Sequence, residues 1–154
     1  MKPEDQLRSR HIELPPPPRP VANYVTSVRV GNLLYVSGHG PAAAPGVRTT
    51  GKVGQDLTVD EGARAARQTG LNLLSTIRAA VGSLDEVERV VKVLGMVNCG
   101  PDFQDHPKVI NGCSDLFVEV FGENGRGARS AVGMSSLPGG IATEVEAIVL
   151  LKEK

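Results

Sequence analysis

Few residues in this chain combine a reactive type with a setting that would let them act. Arg129 opens an apolar stretch, between Ala128 and Ser130. A guanidinium there either reaches outward to water or holds an anion, and its planar fork matches a carboxylate. An internal salt bridge is its ordinary fate, and a bound anionic ligand is the functional one. Glu144 and Glu146 fall two apart in a segment with strand alternation, so they share a face. Two carboxylates so placed tend to split their pKa values, which suits acid–base work, although such pairs more often form surface salt bridges. His39 stands between Gly38 and Gly40 after an apolar run. It either lines a site or serves the fold as an isolated histidine.

Several familiar motifs are missing. Ser37 lacks the GxSxG frame of a nucleophile elbow and by itself reads as a turn residue. Gly38-His39-Gly40-Pro41 is neither a P-loop nor GxGxxG, and no helix is predicted at its end. His11, His39 and His106 give no pair at metal-ligand spacing. Cys99 and Cys113 form no CxxC, and the expectation is two reduced, buried thiols. Neither a metal nor an organic cofactor is expected.

The elements that must position these groups can be read locally. The hairpin Val25 to Ser37 turns at Gly31-Asn32. Gly38 to Gly54 is a loop. Thr58 followed by Glu61 makes a capping box, and the stripe Ala63, Ala66, Gly70, Leu73, Leu74, Ile77, Val81 carries a helix to Gly82. Val87 to Val97 is a buried strand. A second helix starts near His106-Pro107, with Ile110, Cys113, Phe117, Val120 and Phe121 as its stripe, and ends at Gly122. Arg129 to Met134 and Ala142 to Leu151 are the last strands. The predicted order is β-β-α-β-α-β-β, an α+β fold with one mixed sheet and two helices on one face. In the last strand Val145, Ala147 and Val149 point one way, while Glu144, Glu146, Ile148 and Leu150 point the other. Both faces carry apolar groups, so the face without helices is expected to pack on other chains.

Residues 1–20 read as a proline-rich arm ahead of one domain, 21–154. Pro15 to Pro18 favour extended polyproline and exclude helix. Packing of this arm on its own protein is preferred over its use as a ligand for a proline-reading module. The chain has 154 residues, enough for one core, with aromatic residues at only 3%, so Val, Leu and Ala must fill it. Lys+Arg and Asp+Glu both number 17, and this zero balance argues against nucleic-acid binding. No apolar run suits a signal peptide or membrane span, so a cytoplasmic protein is expected.

Three segments together resemble the Rid (reactive intermediate deaminase) family, also labelled L-PSP endoribonuclease. Residues 31–38, GNLLYVSG, are similar to its GN-L-Y-SG hairpin; 128–132, ARSAV, to its ARS-x-V strand; and Leu137-Pro138 with 144–148, EVEAI, to its LP-x5-E-x-E-A-I ending. The resemblance spans about Tyr24 to Lys152. It implies a chorismate-mutase-like fold, a homotrimer, and clefts between subunits. It assigns Arg129 to the grip on a substrate carboxylate and Glu144 to the positioning or activation of water. Tyr24, Ser37, Gly38 and, beside them, His39 would line the cleft, and Asn111 would line it from a neighbouring subunit. The implied reaction is hydrolysis of enamine-derived 2-imino acids to 2-oxo acids and ammonia. The chain departs from the family at 22–27, ANYVTS in place of GPYSQA, at His39 in place of Gln, and at Ala131 in place of Cys, which marks a divergent subgroup. Other readings are a non-catalytic trimer that binds small carboxylates, a ribonuclease, and an interaction module built on the arm.

Overall fold

The computed structural model of the chain describes residues 1–42 and 45–154. Its elements are α1 (Pro3–Ser9), β1 (Ser27–Val30), β2 (Leu33–His39), α2 (Val59–Val81), β3 (Val87–Asn98), α3 (His106–Phe121), β4 (Ala128–Met134) and β5 (Thr143–Leu151). Apart from α1, this is the predicted order. The local signals act where they stand. Thr58 Oγ1 accepts from the Glu61 amide at 3.1 Å while Glu61 returns a carboxylate oxygen to the Thr58 amide at 3.0 Å. Gly82, at φ 91°, ends α2 in the left-handed region. Gly31, at φ 59°, turns the β1–β2 hairpin. The loop expected over Gly38 to Gly54 starts later, because β2 continues through His39, and residues 43 and 44 of it lie outside the described part.

The sheet order is β1-β2-β5-β3-β4, with β3 and β4 parallel and every other pair antiparallel. β5 is central, and Thr143, Val145, Ala147, Val149 and Leu151 are buried on its helix side. α2 and α3 cover that side, and they cross closely: a Cβ on Gly112 would lie 1.9 Å from the Ala63 carbonyl oxygen. The core of Leu73, Leu74, Ile77, Ile110, Leu116 and Phe117 fills the space between layers. Both cysteines are free and buried within it or at its edge. Burial pushes the Cys113 thiol up to about 12, which leaves it inert at neutral pH.

Toward the β1–β2 edge the other face of the sheet is bare and apolar. Cross-strand register places Val28, Tyr35 and Ile148 in one row and Val30, Leu33 and Leu150 in the next. Val28 is 51% exposed, Val30 61% and Tyr35 43%. Apolar side chains grouped in this way on a sheet mark a surface suited to association.

The N-terminal segment contains a helix that the sequence reading passed over. Pro3 at the first turn, Glu4 and Asp5 beside it, and Arg8 in the last turn favour α1, but seven residues are too few to hold a helix alone. Tertiary contacts hold it. Leu7 is 2% exposed in the core. The Glu4 carboxylate receives a two-pronged contact from Arg78, at 3.1 and 2.8 Å, and a third bond from the Leu84 amide at 2.9 Å. Farther on, Ile12 and Leu14 pack against the core and Ser75 Oγ donates to the Pro15 carbonyl.

Candidate functional site

A cleft of about 830 Å³ opens at the end of β2. A bulge between Val36 and His39 breaks the register with β5 there, and such a bulge redirects side chains. Ser37 Oγ donates to the Val25 carbonyl at 2.6 Å, and its amide bonds the Thr26 carbonyl at 2.9 Å. These bonds fix the stretch carrying Tyr24 beside the strand end, and Tyr24, Ser37 and Gly38 all line the cleft. Glu144 and Glu146 of β5 form part of its floor. Neither is in a salt bridge among the described residues, so the surface pairing weighed for them is not what holds them. Burial raises the Glu144 carboxyl above the ordinary carboxylate range, and the like charge of Glu146 adds to the shift. Gly38 makes room for this carboxylate: a Cβ there would stand 2.3 Å from Glu144 Oε2.

His39 also borders the cleft, but its ring is turned into the fold and is 5% exposed. Nδ1 lies 2.6 Å from the Ser37 carbonyl, and Nε2 lies 2.7 Å from Thr76 Oγ1 on α2. A carbonyl can only accept, so Nδ1 carries the proton and Nε2 accepts from the threonine hydroxyl. Burial holds this histidine below its ordinary range and keeps it neutral. With both nitrogens engaged, His39 secures the bulge to α2 and has no free nitrogen for proton transfer.

Arg129 lies elsewhere. It pairs in register with Val93, and Val93 with Ala147, all on the helix side of the sheet. One terminal nitrogen donates to Asn111 Oδ1 at 2.7 Å and to Ser114 Oγ at 3.2 Å. Asn111 and Ser114 are three apart on α3, which puts them on one helix face. The salt bridge expected on general grounds is absent among the described residues, and two neutral acceptors aim the guanidinium instead. A second, smaller concavity of about 200 Å³ surrounds Arg129, Asn111 and Ser114.

The predicted site residues therefore fall into two groups. Tyr24, Ser37, Gly38, His39 and Glu144 border one cleft; Arg129 and Asn111 border the other. Glu144 pairs with Met96, whose other partner is Val132, on the bare face of the sheet. Arg129 is on the opposite face, two strands away at the β4 edge. The sequence reading missed the arm residues Pro18 and Arg19 and, just after them, Val21 and Ala22, which wall the first cleft, and Ser114, which steadies Arg129. Ser114 was recoverable from its spacing to Asn111, whereas the arm's path depends on distant contacts. Among the described residues no group of three or more His, Cys, Asp or Glu is arranged to hold a metal ion. No described helix is long and apolar enough to cross a membrane.

Residues 4–142 match the family model described as "YjgF/chorismate_mutase-like, putative endoribonuclease". The chain belongs to the YjgF/RutC family. This is the Rid family that the three sequence segments resemble. Protein TCP17 of Trypanosoma cruzi is 48% identical over 94% of this chain and 91% of its own length. The 2-iminobutanoate/2-iminopropanoate deaminase of Dermatophagoides farinae is 30% identical over 93% of this chain and 97% of its own. Among solved structures, Atu1372 of Agrobacterium tumefaciens, described as of unknown function, superposes with a TM-score of 0.88 at 42% identity, covering 97% of this chain and 92% of that one. The mixed five-stranded sheet with its helices is the fold of this family.

Proposed function

We propose that this YjgF/RutC-family chain hydrolyses 2-imino acids, formed from reactive enamines, to 2-oxo acids and ammonia, in clefts completed between copies of the chain in a homotrimer. The observation that carries the proposal is the division of the chemistry. A carboxylate anchor, Arg129, and a carboxylate base, Glu144, stand on opposite faces of one sheet, so one chain cannot bring both to one small molecule. A neighbouring copy can. The exposed apolar rows of Val28, Val30 and Tyr35 supply a surface for that association. The relationship to a protein named 2-iminobutanoate/2-iminopropanoate deaminase supports the choice of reaction.

The reaction asks little of the protein. Arg129 of one copy, aimed by Asn111 and Ser114, holds the substrate carboxylate in a fork. Glu144 of the next takes a proton from water as its oxygen bonds the imine carbon. Starting from the protonated imine, the resulting carbinolamine receives that proton on nitrogen, and ammonia leaves as the hydroxyl proton passes to the Glu144 carboxylate and the carbonyl forms. A carboxyl raised by burial suits both halves of this transfer, because its pKa is moved toward the working pH. Gly38 leaves Glu144 its space, Tyr24 and Ser37 bound the cleft, and His39 holds the bulge.

The test is ammonia or 2-oxo acid release from imines freshly made by an amino-acid oxidase, for wild type and Arg129→Ala. Acceleration by the wild type that is lost in the variant supports the proposal. Wild-type rates in the variant would remove Arg129 from the mechanism. No acceleration at all, with tight 2-oxo acid binding, would select a non-catalytic carboxylate-binding assembly. RNA cleavage lost in the variant would select the ribonuclease reading, which zero net charge disfavours.

A further inference from the structure

The concavity on one chain holds about 830 Å³ before a neighbouring copy closes it. Beside Glu144 and Gly38 its lining includes an apolar set: Pro18 from the arm, Ala22 just after it, and Pro138 and Ile141 from the loop before β5. Ile141 rests on Gly40, where a Cβ would meet its Cδ1 at 2.8 Å, so this wall is packed in place. Among the described residues this chain's share of the lining carries one cation, Arg19, against two acids, Glu144 and Glu146, with His39 held neutral. With Arg129 of the neighbouring copy committed to the first carboxylate, this share offers no positive surplus for a second one on the substrate.

The arm wall is fastened from a distance. Leu7 in the core, Glu4 clasped by Arg78 and the Leu84 amide, and Ser75 bonded to the Pro15 carbonyl anchor its first part over the helix layer. The prolines from Pro15 to Pro18 then carry a stiff, extended backbone of roughly 3.1 Å per residue to the cleft. A flexible tail would leave the opening undefined, whereas a strap tied at one end and stiff at the other gives it a fixed side.

We propose that this strapped arm makes the cleft selective for 2-imino acids with bulky apolar side chains, of isobutyl or benzyl size, held between Pro18 and Ala22 on one side and Pro138 and Ile141 on the other. The proposal rests on the deaminase reading above. The test measures kcat/KM on imines made from alanine, leucine and phenylalanine, for wild type, Ala22→Asp and Glu4→Ala. Glu4 is remote from the cleft, and Ala22 is an exposed position where a charge disturbs the wall without disturbing the core. Wild type is expected to favour the leucine and phenylalanine imines by about tenfold or more, in line with the discrimination apolar pockets achieve. Glu4→Ala, outside the lining, should reduce that preference several-fold while alanine-derived turnover stays near wild type, and Ala22→Asp should reduce turnover of the leucine and phenylalanine imines more than that of the alanine imine. Equal or better wild-type turnover of the alanine-derived imine overturns the side-chain claim and leaves the deaminase reading intact. A preference unmoved by both variants overturns the role of the arm. If no imine is turned over, the deaminase reading fails, and calorimetry with 4-methyl-2-oxopentanoate and pyruvate decides the rest. Tighter binding of the former by about tenfold sustains the apolar wall, and equal binding ends it.

Discussion

Mixing two damaged subunits gives the sharpest test of a cleft shared between copies. Arg129→Ala removes the fork aimed by Asn111 and Ser114; a charge-assisted hydrogen bond contributes ~1.5–3 kcal/mol, so kcat/KM should fall roughly 10- to 150-fold. Glu144→Gln removes the proposed base, at an expected cost of roughly 10²–10⁴ in rate. Each variant alone is impaired about tenfold or more. When the two are co-expressed in equal amounts and assemble at random, a cleft is intact if the copy supplying Arg129 carries the glutamine lesion and the copy supplying Glu144 carries the alanine lesion. Half of the copies qualify on each side, so about one quarter of the clefts in a closed ring regain both groups. The assay is 2-oxo acid release per chain from a leucine-derived imine, with the separately purified variants mixed without exchange as the control. Recovery near one quarter of wild type requires the two groups to come from different chains. Activity no higher than the average of the two variants, in verified mixed assemblies, would refute the reasoning from sheet register.

Four further outcomes follow from the geometry. Glu146→Gln removes the like charge beside Glu144, so the acid limb of kcat/KM should move to lower pH while burial still holds it above that of an ordinary carboxylate; a limb that does not move would show that Glu144 does not set it. Gly38→Ala places a methyl within 2.3 Å of Glu144 Oε2, and kcat should fall roughly 10²-fold or more with the far-ultraviolet spectrum unchanged, as the Glu144 carboxylate is pushed aside. Thr76→Val leaves His39 Nε2 without its hydroxyl and should cost about 1–3 kcal/mol, read from the urea midpoint. In the parent protein the buried, neutral His39 binds its proton less readily than the unfolded chain does. Its contribution is therefore complete above the unfolded value of 6.5 and declines as pH falls from there toward the lower folded value, which urea titrations across that window would record.

Much of this protein is written locally. The capping box at Thr58 and Glu61, the Gly82 stop and the Gly31-Asn32 turn depend on residues within a few positions of one another, and the structure uses all of them. The alternation in β5 separates Val145, Ala147 and Val149 from Glu144 and Glu146 with no knowledge of any partner strand. Arg129 and Glu144 could be singled out by type and setting, and the family segments named roles for them. The rest depends on groups far apart in the chain. α1 is too short to stand alone and exists because Leu7 finds the core and Glu4 finds Arg78, 74 positions away. His39 could have faced the cleft or the helices; a hydroxyl on α2, 37 positions on, turns its ring inward. The arm became a wall of the cleft through its anchors on α2 and the turn after it. Strand order and register decided that Arg129 and Glu144 stand on opposite faces, two strands apart. Propensity, capping and alternation act over a few residues and survive in the sequence as pattern, whereas register, burial and long-range hydrogen bonding are settled only when the chain closes on itself.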